Sequence, residues 1–291
     1  MSVIESLQIY STMSQSPHAC VEQLADLGDG LHAVLWTNHN DARDYEAPSH
    51  HTVSCYIDDG RGTFRREAPS QKGAPDKLCI MPAGHSSSWI VNGHIRLMHI
   101  YFSEERFALG SVRLLDREPR ELQLQEGTFV DDSRQAERFR QLLSLHWSEP
   151  GERVLTSTLA HEIVDQLLLT QVRRADATGV RGGLSPVVRR RVLDYIEQHL
   201  DAPLSLGDLA AVAALSEYHF ARMFRVSVGL APHRYVLARR LAHATERLRT
   251  QDLPLSDIAL CCGFASASHF ANRFREAFGA TPTQYRAAFR G

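Results

Sequence analysis

The segment HFARMFRVSVGLAPHRY at residues 219–235 recurs fifty positions later as HFANRFREAFGATPTQY at residues 269–285. The two copies share four landmark pairs at the same spacing: Phe224 and Phe274, Gly229 and Gly279, Pro232 and Pro282, Tyr235 and Tyr285. A further echo precedes each copy, since Asp208-Leu209-Ala210 matches Asp257-Ile258-Ala259 at an offset of 49. A turn between two helices can absorb the one-residue change of offset. The repeat predicts two helix-turn-helix units joined by one helix, which can read two neighbouring stretches of DNA groove.

Charge is distributed unevenly along the 291 residues. Residues 184–291 contain 14 arginines, no lysine and nine acidic residues, which gives this part a net charge of +5. Residues 1–183 carry 18 basic and 25 acidic side chains and a net charge of −7. Because the basic part coincides with the repeat, we expect only this part of the chain to meet a polyanion.

The cysteines and the apolar runs of the sequence indicate the cellular location of the protein. The five cysteines show no metal-binding spacing: Cys20, Cys55, Cys79, Cys261 and Cys262. An odd number without such spacing favours reduced thiols in a cytoplasm. The start of the chain lacks a signal-peptide pattern, and no apolar run approaches the roughly 18 residues of a membrane helix. We therefore expect a cytoplasmic protein with no membrane partner.

Turn signals and periodicity predict two domains. Short apolar runs between Gly, Pro and Asp turns, at residues 52–57, 78–81 and 94–102, predict a small barrel or jelly roll. Helical spacing follows at residues 133–147 and 155–172. The second of these helices packs on the barrel or forms a dimer interface, and the two roles are compatible. We expect an N-terminal domain at 1–174, a glycine-rich linker at 175–184 and a DNA-binding domain at 185–291.

Cap residues and helical spacing define the first repeat unit. We expect Ser205 to cap a helix over residues 206–213 and Ser216 to cap a second helix that ends near Val228. The second helix would bury Phe220, Met223 and Phe224. Its outward face would carry the side chains that a DNA groove meets: Tyr218, Ala221, Arg222 and Arg225.

The second unit follows the same plan. We expect Ser256 to cap a helix over residues 257–262 and Gly263 to form the turn, where a positive φ favours glycine. The buried stripe would be Phe270, Phe274 and Phe278. The outward face and its flanks would be Ser268, His269, Asn272, Arg273 and Arg275.

The outward side chains suit two kinds of DNA contact. Arginine pairs with guanine edges and asparagine with adenine, so Arg222 and Asn272 are the candidates for base contact. Arg225, Arg273 and Arg275 are candidates for phosphate contact or for ion pairs within the domain. A connecting helix over residues 232–249 would span roughly 27 Å at 1.5 Å per residue. Since one DNA turn is about 34 Å, two rigidly linked heads could enter successive major grooves of bent DNA.

The second unit resembles the AraC/XylS family of bacterial transcription regulators. The residues that carry the resemblance are Ile258-Ala259, Gly263-Phe264, Ser268-His269-Phe270 and the segment from Thr281 to Arg286. The resemblance covers about residues 186–290. It implies that Glu217, Tyr218 and Arg222 make most base contacts and that the second helix often grips the backbone. It also implies a cupin-like sensor before the DNA-binding part, helices used for dimerisation, and recruitment of RNA polymerase.

The expected fold class is therefore α+β: an N-terminal cupin-like β jelly roll with helices, and an all-α C-terminal domain. Metal-binding cupins carry an H-x-H pair with a downstream glutamate and histidine. Here His50 and His51 are adjacent and would point to opposite faces of a strand, so we expect no metal and no cofactor. We expect histidines to lie in turns and on the surface. Candidates for contact with a small ligand are Arg65, His85, Trp89, His99 and Tyr101.

Three functions remain open. The leading interpretation is a homodimeric transcription activator, not an enzyme, that binds double-stranded DNA and responds to a small-molecule effector. The second is a cupin-type metalloenzyme fused to a DNA-binding tail, which the absent metal spacing disfavours. The third is a ligand-independent repressor whose N-terminal domain serves only to dimerise.

Overall fold

A computed structural model describes residues 3–175 and 181–290. The chain divides into two compact units, and each is described by itself. The first comprises residues 1–106 and 123–173, and the second residues 107–122 and 174–291. Part of the expected linker, residues 176–180, lies outside the described residues. No helix within the described ranges is long and apolar enough to cross a membrane.

The first unit is built on an antiparallel sheet. Its strands are β1 (Ala19–Asp26), β2 (Leu31–Tyr45), β3 (His50–Asp59), β4 (Thr63–Arg65), β5 (Lys77–Met81), β6 (Ser87–Ser103) and β8 (Gly127–Asp131). A short strand, β7 (Leu122–Leu124), precedes β8, and β9 (Val172–Arg174) follows the last helix of the unit. The sheet order is β1-β2-β6-β3-β5-β8, with β4 added beside β6. The short apolar runs predict a small barrel or jelly roll, and the strands observed there form this antiparallel sheet.

Helices α1 (Gln8–Ser14), α3 (Ser133–Leu143) and α4 (Pro150–Gln171) complete this unit. Helical spacing predicts that one stripe of the last helix, widened by Leu168 and Leu169, is apolar: Leu155, Leu159, Ile163, Gln166/Leu167 and Thr170. This prediction is only partly correct. Val154, Ala160 and Val164 are buried, Leu155 and Leu159 are half-buried, and Leu169 is 52% exposed.

The long pair of β2 and β6 organises the sheet. The pairing runs from Leu31 opposite Phe102 to Tyr45 opposite Ser87, and it contains a bulge between His39 and Asp41. At the bulge, Gly93 has a φ of 88° and its N–H donates to Asn40 Oδ1 at 2.8 Å. The bulge and the glycine let both strands continue through polar sequence that resembles a loop. Strand β6 therefore begins seven residues before its apolar run.

The second unit is helical. Its helices are α2 (Glu104–Leu115), whose last nine residues belong to this unit, α5 (Pro186–Gln198), α6 (Leu206–Ala213), α7 (Glu217–Val228), α8 (Pro232–Thr250), α9 (Leu255–Cys261), α10 (Ala267–Phe278) and α11 (Pro282–Arg290). Helices α6–α7 and α9–α10 are the two predicted helix-turn-helix units, and α8 joins them. The expected fold class, a β-rich N-terminal part and an all-α C-terminal part, is confirmed.

Residues 107–122 lie in the sequence range expected for the N-terminal domain but pack into the helical unit. Ala108, Leu109 and Val112 share a core with apolar residues of α5, α6, α7 and α8. A Cβ at Gly229 would lie 2.4 Å from the Ala108 side chain, so this packing requires glycine. The buried carboxylate of Glu118 pairs with Arg120 and Arg189. The periodicity of α2 gives no indication of which unit its apolar face packs against.

Candidate nucleic-acid interface

The first helix-turn-helix unit begins with a reciprocal cap. The Ser205 side chain accepts a hydrogen bond from the Asp208 N–H at 3.1 Å, and the Asp208 carboxylate accepts one from the Ser205 N–H at 2.9 Å. This pair satisfies two N–H groups that the first turn of α6 leaves without helical partners. Ser216 likewise accepts from the His219 N–H and caps α7. Both predicted caps are confirmed.

The turn between α6 and α7 uses a left-handed residue. Ala214 has φ 56° and ψ 42°. The Leu215 N–H donates to the Ala210 carbonyl and the Ala214 N–H to the Ala211 carbonyl, both at 3.0 Å. These two hydrogen bonds form the Schellman motif that ends many helices, usually on glycine.

Helix α7 has one buried and one solvent face. Phe220 and Phe224 are fully buried, and their ring centroids lie 5.5 Å apart. The predicted core residue Met223 is only partly buried. The opposite face is exposed and carries Glu217, Tyr218, His219, Arg222 and Arg225. Tyr218 is 82% exposed, although burial of its ring would be favourable.

The second unit differs at its entrance. Helix α9 begins at Leu255, and its cap residue is Pro254, which makes no side-chain cap hydrogen bond. The prediction that Ser256 caps this helix is wrong, because Ser256 already lies in the first turn. Its hydroxyl donates to Asp257 Oδ1 at 3.1 Å. The Asp257 and Ile258 N–H groups instead donate to the Pro254 carbonyl.

Gly263 forms the second turn, as predicted, with a φ of 73°. Its N–H donates to the Leu260 carbonyl and the Phe264 N–H to the Ala259 carbonyl, both at 2.9 Å, so the turn repeats the Schellman motif. A Cβ at this position would lie 2.1 Å from the Leu200 carbonyl oxygen. Glycine is required here both for its φ and for the close approach of the backbone.

Helix α10 also has one buried face and one exposed face. Ser266 caps it by accepting from the His269 N–H at 3.1 Å. Phe270 and Phe274 are fully buried, while the predicted third member of the stripe, Phe278, is half-buried. The exposed face carries Ser268, His269, Asn272, Arg273 and Arg275.

The exposed arginines of the two helices fall into two groups. Arg273 forms an ion pair with Glu276 at 2.9 Å on its own helix. Within residues 181–290, Arg222, Arg225 and Arg275 form no ion pair. Their guanidinium groups are therefore available to phosphates or to base edges.

Two arginines of α8 connect the two helix-turn-helix units. Arg239 forms a bidentate pair with Glu197 of α5, at 2.5 and 2.9 Å. Arg240 donates to the Leu200 carbonyl at 2.9 Å and to the Ala202 carbonyl at 2.7 Å. A Cβ at Gly263 would lie 2.8 Å from the same guanidinium, so the second turn packs against this contact. The two helix-turn-helix units are thus fixed through α8 and the segment after α5.

The N-terminal unit contains a narrow cavity of about 430 Å³ between its side chains, part of it open to solvent. Of the five ligand candidates, Trp89 and His99 line it. Tyr101 is fully buried behind them, and its hydroxyl lies 2.8 Å from His99 Nδ1. Arg65 contacts the face of Trp89 at 5.8 Å and pairs with Glu126. His85 is exposed.

Several polar cavity residues could not be found by sequence pattern. Asn38 and Arg43 come from the polar half of β2, and Thr63 comes from a strand of only three residues. Their sequence is typical of a loop, and only the pairing with β6 brings them to the cavity.

The expectation that histidines lie in turns and on the surface is wrong for four of them: His32, His50, His51 and His99 are 2–4% exposed. Burial lowers the pKa of His50 to about 4, with a smaller effect from neighbouring histidines. Among the described residues, no group of three or more histidines, cysteines or carboxylates is placed to hold a metal ion.

Comparisons with known proteins match the C-terminal part of the chain. The sequence model of a helix-turn-helix domain family matches residues 209–288. LumQ, a probable transcriptional regulator of Photobacterium leiognathi, is 41% identical over 92 residues, which are 32% of this chain and 37% of LumQ. The regulatory protein SoxS of Salmonella typhimurium is 35% identical over 95 residues, which are 33% of this chain and 89% of SoxS.

A solved structure adds a similar match. The DNA-binding domain of AdpA, in complex with a target DNA, is 33% identical and covers 35% of this chain and 92% of its own, with a TM-score of 0.34. The chain spans about a third of the length of LumQ but nearly all of SoxS. The match to SoxS, which extends over 89% of that regulator, and the match to the helix-turn-helix family show that the chain belongs to the AraC family of transcriptional regulators and that its helical unit contains the family's DNA-binding domain.

Proposed function

We propose that this protein is a sequence-specific transcription regulator that binds double-stranded DNA through both helix-turn-helix units. The observation that carries the proposal is the pair of outward helix faces, α7 and α10, presented by one rigid scaffold. Each face carries side chains suited to base edges, among them Arg222 in the first unit and Asn272 in the second.

The two helix-turn-helix units have different roles in DNA binding. Tyr218, Arg222 and Glu217 give α7 long side chains that reach base edges in a major groove. Ser268 and Arg275 give α10 groups that bind phosphate, with Asn272 as its base-reading residue. We therefore assign most of the specificity to the first unit and most of the orientation to the second.

The spacing of the two helix-turn-helix units suits consecutive major grooves of DNA. Helix α8 has 19 residues, and at 1.5 Å per residue it is about 28 Å long. One turn of DNA is about 34 Å, so a rigid protein of this length bends its DNA toward itself. A motif with two half-sites about one turn apart follows from this geometry.

Regulation is assigned to the N-terminal unit. A small-molecule effector in the cavity shifts the population between arrangements that differ in DNA binding, which requires that it prefers one of them energetically. The half-buried and exposed leucines of α4, Leu155, Leu159 and Leu169, support a homodimer. As an activator, the DNA-bound protein presents a surface of its helical unit to RNA polymerase.

The test is binding of the full-length protein to genomic DNA fragments in vitro at moderate salt, followed by sequencing of the bound fragments. We expect one shared motif with two half-sites about one turn apart. Binding without a motif, falling uniformly as salt is raised, would contradict sequence-specific regulation. The same motif occupied equally at all effector concentrations would support the ligand-independent repressor instead.

A further inference from the structure

We infer that the effector is a small, uncharged, mainly apolar molecule that carries a hydroxyl group, which donates a hydrogen bond to Asn38 Oδ1 in the N-terminal cavity. This inference rests on the proposed effector-responsive function and gives the chemistry of its ligand. It is argued from the lining of the cavity, from its charge balance and from one buried acceptor that lacks a donor.

The lining of the cavity is mainly apolar and aromatic. Its apolar and aromatic members are Met13, Tyr45, Tyr56, Met81, Trp89, Val91, Ile95 and Leu97. The cavity has room for only a few water molecules, which favours a ligand of about the size of one ring. Such a lining favours a ligand whose surface is mostly hydrocarbon.

The charges at the cavity are already balanced. Arg43 donates to Asp41 through Nε at 2.8 Å and through Nη2 at 2.7 Å. Burial alone would raise the pKa of Asp41, but hydrogen bonds from Arg43, Ser16 and Asn38 outweigh it and lower that pKa to about 2. The carboxylate therefore stays ionised and neutralises Arg43. A carboxylate ligand would have to compete with Asp41 for this guanidinium, at the expense of its own hydration.

His99, the other ionisable nitrogen group of the lining, is uncharged at neutral pH. Burial lowers the pKa of His99 to about 3. The Trp36 Nε1–H donates to the Tyr101 hydroxyl at 3.2 Å, and that hydroxyl lies 2.8 Å from His99 Nδ1. Since Trp36 can only donate, the Tyr101 oxygen accepts from it, and the Tyr101 proton is free to go to His99 Nδ1. The imidazole is thus a neutral hydrogen-bonding group, which offers nothing to an anion beyond one N–H.

Two polar atoms of the lining residues lack a hydrogen-bond partner, and one of them, Asn38 Oδ1, can only accept. Asn38 is 2% exposed, and its Nδ2 donates to Asp41 Oδ2 at 3.1 Å. Because a carboxylate only accepts, this contact fixes the orientation of the amide and turns Oδ1 away from Asp41. Asn38 Oδ1 is buried and has no hydrogen-bond partner, and the same is true of Thr63 Oγ1 in the wall. A buried acceptor without a donor is unfavourable, and a ligand hydroxyl that donates to it would remove this cost.

A matched series of single-ring probes tests the inference on the full-length protein without DNA. The probes are phenol, toluene, benzoate and benzylamine, and binding is followed by calorimetry and by tryptophan fluorescence, to which Trp89 in the cavity lining contributes. We expect phenol to bind about fivefold more tightly than toluene, the factor that one hydrogen bond contributes. Benzoate and protonated benzylamine should bind at least about tenfold more weakly than phenol. Tighter binding of either charged probe, or equal binding of phenol and toluene, overturns the inference.

A pair of variants locates the hydrogen bond. Asn38→Leu removes the unpaired acceptor and should abolish the preference for phenol over toluene. Ser16→Ala is the matched control, because it also removes one hydrogen bond to Asp41 but does not line the cavity. A preference that survives in Asn38→Leu, or that is lost in Ser16→Ala, contradicts the assignment to Asn38. The probe series on the unmodified protein decides the chemical class even if a variant does not fold.

These results are independent of the proposed DNA recognition. A charged probe that binds best overturns the ligand class and leaves the genomic motif untouched. Conversely, the absence of a motif overturns the proposed regulator, whatever the cavity binds.

Discussion

The two helix-turn-helix units share a core but differ in their ends and their outer faces. Phe220 and Phe224 of the first unit correspond to Phe270 and Phe274 of the second, and all four are fully buried. The first unit has a reciprocal cap and an alanine turn, whereas the second has an uncapped start and a glycine turn. The shared core defines the shape of each helix-turn-helix unit, while the side chains of the outer face determine which bases each unit contacts.

The largest expected effect comes from the shared core. Phe224→Ala should destabilise the helical unit by about 3–5 kcal/mol, because it removes a fully buried ring and leaves a cavity. Phe274→Ala should have an effect of similar size, since its ring is equally buried. Urea unfolding is followed by far-UV circular dichroism and by tryptophan fluorescence.

All three tryptophans, Trp36, Trp89 and Trp147, lie in the N-terminal unit and not in the helical unit, so fluorescence is the internal control. The transition seen by circular dichroism should shift to lower urea in both variants, and the fluorescence transition should shift less. A large difference between the two variants would mean that the cores are not equivalent.

Substitutions in the two turns should change the stability of the protein in opposite directions. Gly263→Ala should destabilise the second unit by about 1–3 kcal/mol, because its positive φ and the Leu200 carbonyl both exclude a Cβ. Ala214→Gly should stabilise the first unit by up to about 1 kcal/mol, because it relieves a left-handed alanine.

Thermal unfolding followed by circular dichroism measures both changes. A destabilising Ala214→Gly would show that the flexibility gained in the unfolded chain outweighs the strain relieved in the turn. A neutral Gly263→Ala would show that the second turn can move away from Leu200.

The caps should give the smallest effect. Ser205→Ala removes both side-chain hydrogen bonds of the serine to Asp208 and should destabilise α6 by about 1 kcal/mol. Ser256→Ala, its counterpart in the second unit, should change stability by less than about 0.5 kcal/mol, since Ser256 is exposed and caps nothing. Amide hydrogen exchange in α6 and α9 measures the two changes separately. Equal losses of protection in both helices would restore Ser256 as a cap.

Sequence alone predicts the helical unit well because its signals are local. Ser205 and Ser216 precede their helices directly, and each accepts the expected hydrogen bond. Ser256 fails for a local reason too, since Pro254 already supplies the first accepting carbonyl. A serine next to a helix start predicts a cap only if no earlier residue begins the helix.

The N-terminal unit is harder to predict because its pairing is not local. The polar second half of β2 becomes a strand only because β6, more than forty residues later in the chain, pairs with it. The same pairing accounts for the burial of His32, which lies opposite Tyr101. Cavity residues such as Asn38 therefore escape any analysis of periodicity, whereas Trp89 and His99 lie on a strand that the apolar run partly reveals.

The most direct test of the account is selection of bound DNA sequences by the unmodified protein and by two variants, Arg222→Ala and Asn272→Ala. The account predicts that Arg222→Ala weakens binding to the selected site by about 1–3 kcal/mol and relaxes one position in one half-site. Asn272→Ala should relax a position in the other half-site alone. Arg191→Ala, which removes an exposed arginine from α5, is the control for loss of charge and should leave the motif unchanged. If Arg222→Ala and Asn272→Ala instead weaken all sequences equally, both side chains contact only the backbone, and the assignment of two base-reading heads is wrong.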